Sequence, residues 1–303
     1  MRRVVCSLFA LSLLALPLSA QRHDPDLQAG LDSLAAGFHG SAGIFVQHLK
    51  RDVVASVNAD SLFPTASMIK VPIMLTLFDR IARGELKYDE TMVFRDSLRY
   101  DDGIVGSFRD STRIPVSELV TLMICFSDNT AALWLQQLAG TGTRINEWLE
   151  TNGFHQTRMN SRTPGRQAIW EVYGWGMTTP REMATLLTRI NEGTAVSPAA
   201  GQEMQRVLGT IYWRDEALSQ IPPWVSTMSK QGAVDESRSE VVLVHAPSGD
   251  YVFSVITAHQ QDTSWTPGNE GYRLIRGVSR YLWQTFEPSA PWSPVPDQGM
   301  WLK

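Results

Sequence analysis

Leu27, Leu31, Leu34 and Phe38 recur at three- and four-residue intervals in "DLQAGLDSLAAGF", the apolar stripe of an amphipathic helix. The period then shortens. "GIFVQHL" and "VVASVNA" are apolar, partly β-branched runs around a "KRD" turn, and they predict two adjoining strands. From Ser67 to about Leu208 the helical period returns. "MIKVPIMLTLFDRIARG" closes at Gly84, then come "VSELVTLMICFS", "TAALWLQQLAG" and "TRINEWLETNG", and "TTPREMATLLTRINEG" sets Pro180 at a helix start. Beyond Trp213, "EVVLVHA" and "YVFSVITA" joined by "PSGD" predict a hairpin, and "EGYRLIRGVSRYLWQTF" predicts a closing helix. This order implies an α/β fold with an antiparallel sheet built from both ends of the chain, residues 21–66 and 210–287. An all-helical subdomain, residues 67–209, is inserted beside it, and a cleft is expected where the two meet.

The two ends of the chain read differently. "MRR" followed by the apolar "VVCSLFALSLLAL" and the small-residue "PLSA" has the form of a secretory signal peptide over residues 1–20, cleaved near Ala20. The apolar run is shorter than the roughly 20 residues a membrane span requires, so no stable membrane insertion is expected. Removing it leaves Cys125 as the one cysteine, so the exported protein has to be held by its core without an internal disulfide. The tail over residues 288–303 is Pro-rich and is expected to be extended or disordered. A formal net charge of −4 with no basic block argues against a nucleic-acid partner. His23, His39, His48, His155, His245 and His259 show no metal-ligand spacing, so neither a metal nor another cofactor is expected.

Within this frame three short motifs occur in order: Ser67-Met-Ile-Lys70, Ser127-Asp128-Asn129 and Lys230-Gln231-Gly232. Each alone has a plain structural reading, as a helix start, a helix cap or a strand end. Together they form a chemical set. Ser67 and Lys70, at i and i+3, share one helical face. A serine hydroxyl attacks an amide only when a base takes its proton, and a lysine becomes such a base when burial and nearby positive charge lower its pKa. Ser127 offers a hydroxyl to relay the proton to a departing nitrogen, Lys230 holds Ser127 in place, and Asn129 offers a donor and an acceptor to a substrate amide.

On these residues the chain resembles the penicillin-recognising serine acyltransferases, class A β-lactamases in particular, over roughly residues 25 to 286. The resemblance implies the β-lactamase/transpeptidase-like fold and an acyl-enzyme on Ser67. It also implies an oxyanion hole from the backbone N–H groups of Ser67 and Ala233 beside Gly232, and a periplasmic monomer acting on a β-lactam or a peptidoglycan peptide. Arg238 is either the cation that anchors a substrate carboxylate or a solvated strand-end arginine. Two departures stand out. Gln231 occupies a position where the family usually has Thr or Ser. The loop glutamate that activates the deacylating water in class A enzymes is replaced, in ungapped alignment, by Thr163. Glu171, preceded by Trp170, is the only acid in that loop and is either the displaced base or a solvated loop acid. Three functions remain open: a β-lactamase with slow deacylation, a D-alanyl-D-alanine peptidase or penicillin-binding protein, and a β-lactam sensor.

Overall fold

The computed structural model describes residues 22–101 and 103–294. The signal peptide expected over residues 1–20 and the end of the Pro-rich tail lie outside the described residues. The main sheet contains β1 (Arg22–His23), β2 (Ser41–His48), β3 (Val53–Val57), β4 (Thr227–Val234), β5 (Ser237–Val244) and β6 (Tyr251–Ala258), in the order β1-β3-β2-β6-β5-β4. All neighbours are antiparallel except the short β1, which runs parallel to β3. The two ends of the chain meet at β2 and β6, where Phe45 pairs with Ser254.

The helices are α1 (Pro25–Ala36), α2 (Lys70–Ala82), α3 (Val116–Cys125), α4 (Asn129–Leu138), α5 (Thr141–Thr151), α6 (Gln167–Tyr173), α7 (Pro180–Asn191), α8 (Pro198–Leu208) and α9 (Glu270–Phe286). Their starts follow local chemistry. The Asp24 carboxylate accepts from the N–H groups of Asp26 and Leu27 ahead of α1, and Thr179 caps α7 with Pro180 in its first turn. Every residue of β5 and β6 is buried, because α1 and α9 pack over the sheet on each other and α7 packs over it as well.

The second part of the molecule is organised around α2, whose residues from Lys70 to Phe78 are all buried. Such a helix must be surrounded, and α3, α4, α5 and α8 all pack against it. Its amino-terminal end, preceded by a 3-10 turn over Ala66–Ile69, abuts β4 and β5 at the seam with the sheet. Gly232 makes that contact possible. A Cβ there would lie 2.7 Å from the Thr65 carbonyl oxygen and 2.8 Å from the Ser67 nitrogen, so a side chain would push the strand away from Ser67.

Two features depart from the sequence pattern. The loop that holds Thr163 and Glu171 is bounded by a small sheet, in which Gly176–Thr178 pairs with both Phe63–Pro64 and Arg158–Met159. The tail, through residue 294, packs on the molecule: Trp283 Nε1 donates to the Ala290 carbonyl at 3.1 Å, and Trp292 lies against the core.

Arg238 requires a correction. It is neither a solvated arginine nor free to bind a substrate. It is fully buried in β5, with its guanidinium carbon 4.5 Å from the ring centre of Trp265 and 4.8 Å from that of Tyr272. Nη1 donates to the carbonyls of Val234 and Ser237, and Nη2 to that of Ser264 at 2.7 Å. With both Nη atoms on backbone carbonyls and both faces stacked, the cation locks the β4–β5 turn to the segment before α9. Arg238→Ala is therefore expected to lower the unfolding free energy by about 3 kcal/mol, because buried carbonyls lose their partner. Denaturant titration checks this. The acylation rate per folded molecule should stay within about twofold of the unsubstituted protein, since a buried stacked residue makes no substrate contact.

Candidate active site

Ser67 lies in the 3-10 turn at the seam, and Lys70 opens α2 one turn later. Lys70 is fully buried, and its Nζ has four oxygen neighbours: Ser67 Oγ at 3.1 Å, Ser127 O at 2.6 Å, Ser127 Oγ at 3.0 Å and Asn129 Oδ1 at 2.8 Å. Two of these, the Ser127 carbonyl and the Asn129 amide oxygen, can only accept. A neutral amine has two N–H donors and one lone pair, so it satisfies both acceptors and leaves the lone pair for a serine hydroxyl. Burial brings the Lys70 pKa down to about 7, opposed by the negative charge of Asp128 and Asp101. At neutral pH a large fraction of Lys70 is then in the form able to take a proton.

Ser127 ends the stretch before α4, and its hydroxyl stands between two lysines: Lys230 Nζ reaches it at 3.1 Å from the other side. Burial, reinforced by the neighbouring Lys70, holds Lys230 well below the usual lysine range, against the pull of Glu240. Ala66 and Ser127, neither of them glycine, hold φ values of 43° and 62°. Each such conformation costs about 1–3 kcal/mol, and they fall directly before Ser67 and at Ser127 itself. Asp128 fixes this geometry: Oδ1 accepts from Ala131 N at 2.7 Å and Oδ2 from Val105 N at 3.0 Å. Asn129 is oriented by Asp101, whose Oδ2 accepts from its Nδ2 at 2.8 Å.

The cleft has two lobes that meet at Ser67 and Ala233. One, of about 500 Å³, is bounded by Tyr100, Asn129, Tyr173, Gly174 and Trp175. The other, of about 790 Å³, is bounded by Ser127, Gln231, Gly232, Glu240, Trp265 and Tyr272. Of the residues read from sequence, Ser67, Lys70, Ser127, Asn129, Lys230, Gln231, Gly232 and Ala233 converge here. Arg238 and Glu171 do not join them. Glu171 is exposed on α6, and its carboxylate meets the Gln167 amide at 3.5 Å. The Thr163 hydroxyl turns back on its own chain, donating to the carbonyls of Ser161 at 3.0 Å and Met159 at 3.2 Å.

On the loop side Lys70 faces an aromatic ring. The Trp175 ring centre lies 6.0 Å from Lys70 Nζ, with the Tyr100 ring edge-on to it at 5.4 Å. The N–H groups of Asn160 and Ser161 both donate to the Trp175 carbonyl, at 2.7 and 3.0 Å, which pins that residue in place. Among the described residues no carboxylate hydrogen-bonds Ser67 or Lys70. Among the tryptophans, Trp175 and Trp213 line the lobes, Trp170 lines a neighbouring depression, and Trp224 is exposed elsewhere. Sequence reasoning missed Asp101 and Glu240. Asp101 sits in an aperiodic loop and carries no local signal. Glu240 had one: a carboxylate opening the apolar run "EVVLV".

A family model described as the β-lactamase enzyme family matches residues 26–286. β-Lactamase VEB-1 of Pseudomonas aeruginosa is 20% identical over 298 residues, spanning 94% of this chain and 98% of its own. The solved structure of PBP-A is 25% identical and superposes with a TM-score of 0.79 over 88% of this chain and 98% of its own. A variant of PBP-A, 25% identical with a TM-score of 0.79 over 89% of this chain and 100% of its own, is known as its acyl-enzyme complex with penicillin G. A β-lactamase of Sphaerobacter thermophilus, 23% identical with a TM-score of 0.77 over 88% of this chain and 98% of its own, shares the fold. With an α/β architecture common to these proteins and a family match over most of its length, the chain belongs to the β-lactamase enzyme family.

Proposed function

We propose that the protein is a serine hydrolase that opens β-lactams through an acyl-enzyme on Ser67, with deacylation as its slow step. The observation that carries this reading is that one buried amine, that of Lys70, contacts Ser67 Oγ and Ser127 Oγ at once. Neutral Lys70 takes the Ser67 proton as Oγ attacks the carbonyl carbon. The oxyanion is met by the backbone N–H groups of Ser67 and Ala233. As the carbon–nitrogen bond breaks, Ser127 Oγ gives its proton to the nitrogen and recovers one from Lys70. The ester on Ser67 is then complete, and the proton lost by Ser67 has reached the leaving nitrogen. The penicillin G acyl-enzyme of the PBP-A variant supports the formation of such an ester.

Hydrolysis of that ester needs a base beside a water. The loop presents Trp175 to Lys70 and leaves Glu171 in solvent, and a missing general base typically slows a step by about 10²–10⁴-fold. The same absence favours a second reading, a D-alanyl-D-alanine peptidase or penicillin-binding protein that acts on peptidoglycan stems and deacylates β-lactams slowly. The likeness to PBP-A supports it. Turnover of a peptide ending in D-alanyl-D-alanine, set beside that of penicillin G, separates the two. Among the described residues no helix is long and apolar enough to cross a membrane. The bacterial relatives are consistent with export to the periplasm through residues 1–20.

Penicillin G should add its mass to the peptide holding Ser67, and Ser67→Ala should abolish the adduct. Lys70→Ala should slow acylation by about 10²-fold or more. A label on Ser127 or Ser229 contradicts the assignment.

The acylation rate should depend on pH with a definite sign. Below about 7 Lys70 is protonated and cannot act as base, so the rate rises with pH and levels off above it. Stopped-flow acylation from pH 5.5 to 9 measures the profile. A rate flat across this range excludes Lys70 as the base.

Product release from a chromogenic cephalosporin should show a burst of one equivalent followed by slow turnover. Glu171→Gln should leave the slow phase within about twofold, because an exposed side chain with no contact to the site contributes little. A trapped acyl-enzyme in Glu171→Gln, in an otherwise fast enzyme, shows instead that the loop rearranges to bring Glu171 to the ester.

A further inference from the structure

The two lobes of the cleft divide the work around Ser67. Asn129, whose side chain suits a substrate amide, lines the smaller lobe, and Ser127, whose hydroxyl protonates the departing nitrogen, lines the larger. Whatever is attached to that nitrogen therefore extends into the larger lobe, and the walls there decide what it can carry. Those walls are aromatic. Phe126, Trp213 and Trp265 line the same lobe, and their rings are left exposed, at 39%, 47% and 60%. One exposed apolar side chain needs no explanation, but three on the walls of one cleft mark a contact surface.

The rings are held in place by their neighbours. The last carbonyls of a helix have no partner within it, and at the end of α3 the segment after α8 takes two of them. Tyr212 N donates to the Cys125 carbonyl at 3.1 Å, and Trp213 Nε1 donates to the Phe126 carbonyl at 3.2 Å. The Tyr212 ring stacks on Phe126 with centres 5.3 Å apart and meets Trp213 edge-on at 5.1 Å. Three rings are thus clipped to the residue directly before Ser127. Trp265 is fixed separately: its Nε1 donates to Asp235 Oδ1 at 3.2 Å, and its ring centre lies 4.5 Å from the Arg238 guanidinium carbon. Rings already fixed, with their polar tips satisfied, lose little freedom on meeting a ligand, and their faces and edges suit another flat ring.

We infer that Phe126, Trp213 and Trp265 form a subsite for a flat aromatic group carried on the leaving-group side of the acyl donor. This deepens the acyl-enzyme reading of Ser67 and rests on it. A cephalosporin can carry such a group on the ring that holds the leaving nitrogen. The subsite then selects among acyl donors while the chemistry at the carbonyl stays the same.

The test uses two cephalosporins with the same acyl side chain, one bearing a methyl group at the 3-position and the other a styryl group. The second-order rate of Ser67 adduct formation is followed by rapid-quench intact-protein mass spectrometry. Each rate is divided by that compound's rate with hydroxide, which removes the difference in intrinsic reactivity. The styryl compound is expected to exceed the methyl compound by about tenfold, the scale of a good aromatic contact. Trp213→Ala and Trp265→Ala, on separately fixed walls, should each lower that ratio by about threefold or more. Trp213→Phe, which loses the Nε1 bond to Phe126 but keeps a ring, should retain most of it. A ratio near one in the unsubstituted protein, with both compounds labelling Ser67, overturns the inference and leaves the acyl-enzyme reading standing. Equal losses for both compounds in the alanine variants overturn it too. So does a Trp213→Phe that loses as much as Trp213→Ala, since the bond to Phe126 and not the ring would then be responsible. If neither compound forms a Ser67 adduct while both remain intact, the acyl-enzyme reading itself fails, and the inference falls with it.

Discussion

One buried amine organises the centre of this molecule. Lys70 sits at the first turn of a helix whose residues from Lys70 to Phe78 are all buried, so it is shut off from water. Its four oxygen neighbours come from two segments: Ser67 one turn before it, and Ser127 and Asn129, 57 and 59 residues further on. An ammonium group would leave two acceptor-only oxygens and two hydroxyls competing for three protons. The neutral amine serves the two acceptor-only oxygens with its two N–H groups and keeps its lone pair for one of the serine hydroxyls. Burial therefore does two things at once: it makes Lys70 a base and it fixes the serines around it. The surrounding structure bears the cost, in two non-glycine residues held at positive φ and in a second lysine buried alongside the first.

The same geometry explains how the two halves of a hydrolytic cycle can separate on one scaffold. The groups in contact around Ser67 serve bond breaking and leaving-group protonation. The loop opposite them is held by its own hydrogen bonds, with Asn160 and Ser161 on the Trp175 carbonyl and Asn160 Oδ1 accepting from Arg166 at 2.8 Å. That network presents an indole to Lys70 where a carboxylate would be needed for water activation. The two steps thus depend on separate elements, and a change in the loop can alter the second without touching the first.

Much of this was legible in the chain. Helical and strand periods placed the elements because each has a buried face, and the closing helix over Glu270–Phe286 carries an apolar stripe along its whole length. Ser67, Lys70, Ser127 and Lys230 were legible because their chemistry forms a set even before their positions are known. Other features depend on pairings that no local window holds. Asp101 orients Asn129 across 28 residues, and Glu240 meets Gln231 only once the strand register is fixed. Arg238 misled because a strand-end arginine is ordinarily solvated. The two aromatic rings that bury it arrive from residues 265 and 272, after another strand has intervened. The strands that bound the loop holding Thr163 and Glu171 are only two or three residues long, too short to show alternation in the sequence.

The central claim is that burial poises Lys70 as a neutral base, and titration of that one side chain tests it most directly. Protein labelled with ¹³C at the lysine ε-carbon, with the Lys70 resonance assigned by its loss in Lys70→Arg, should show a Lys70 signal that titrates near pH 7. A Lys70 resonance that keeps the chemical shift of a charged ammonium to pH 9 and beyond would contradict the claim, and the proton taken from Ser67 would then need another acceptor.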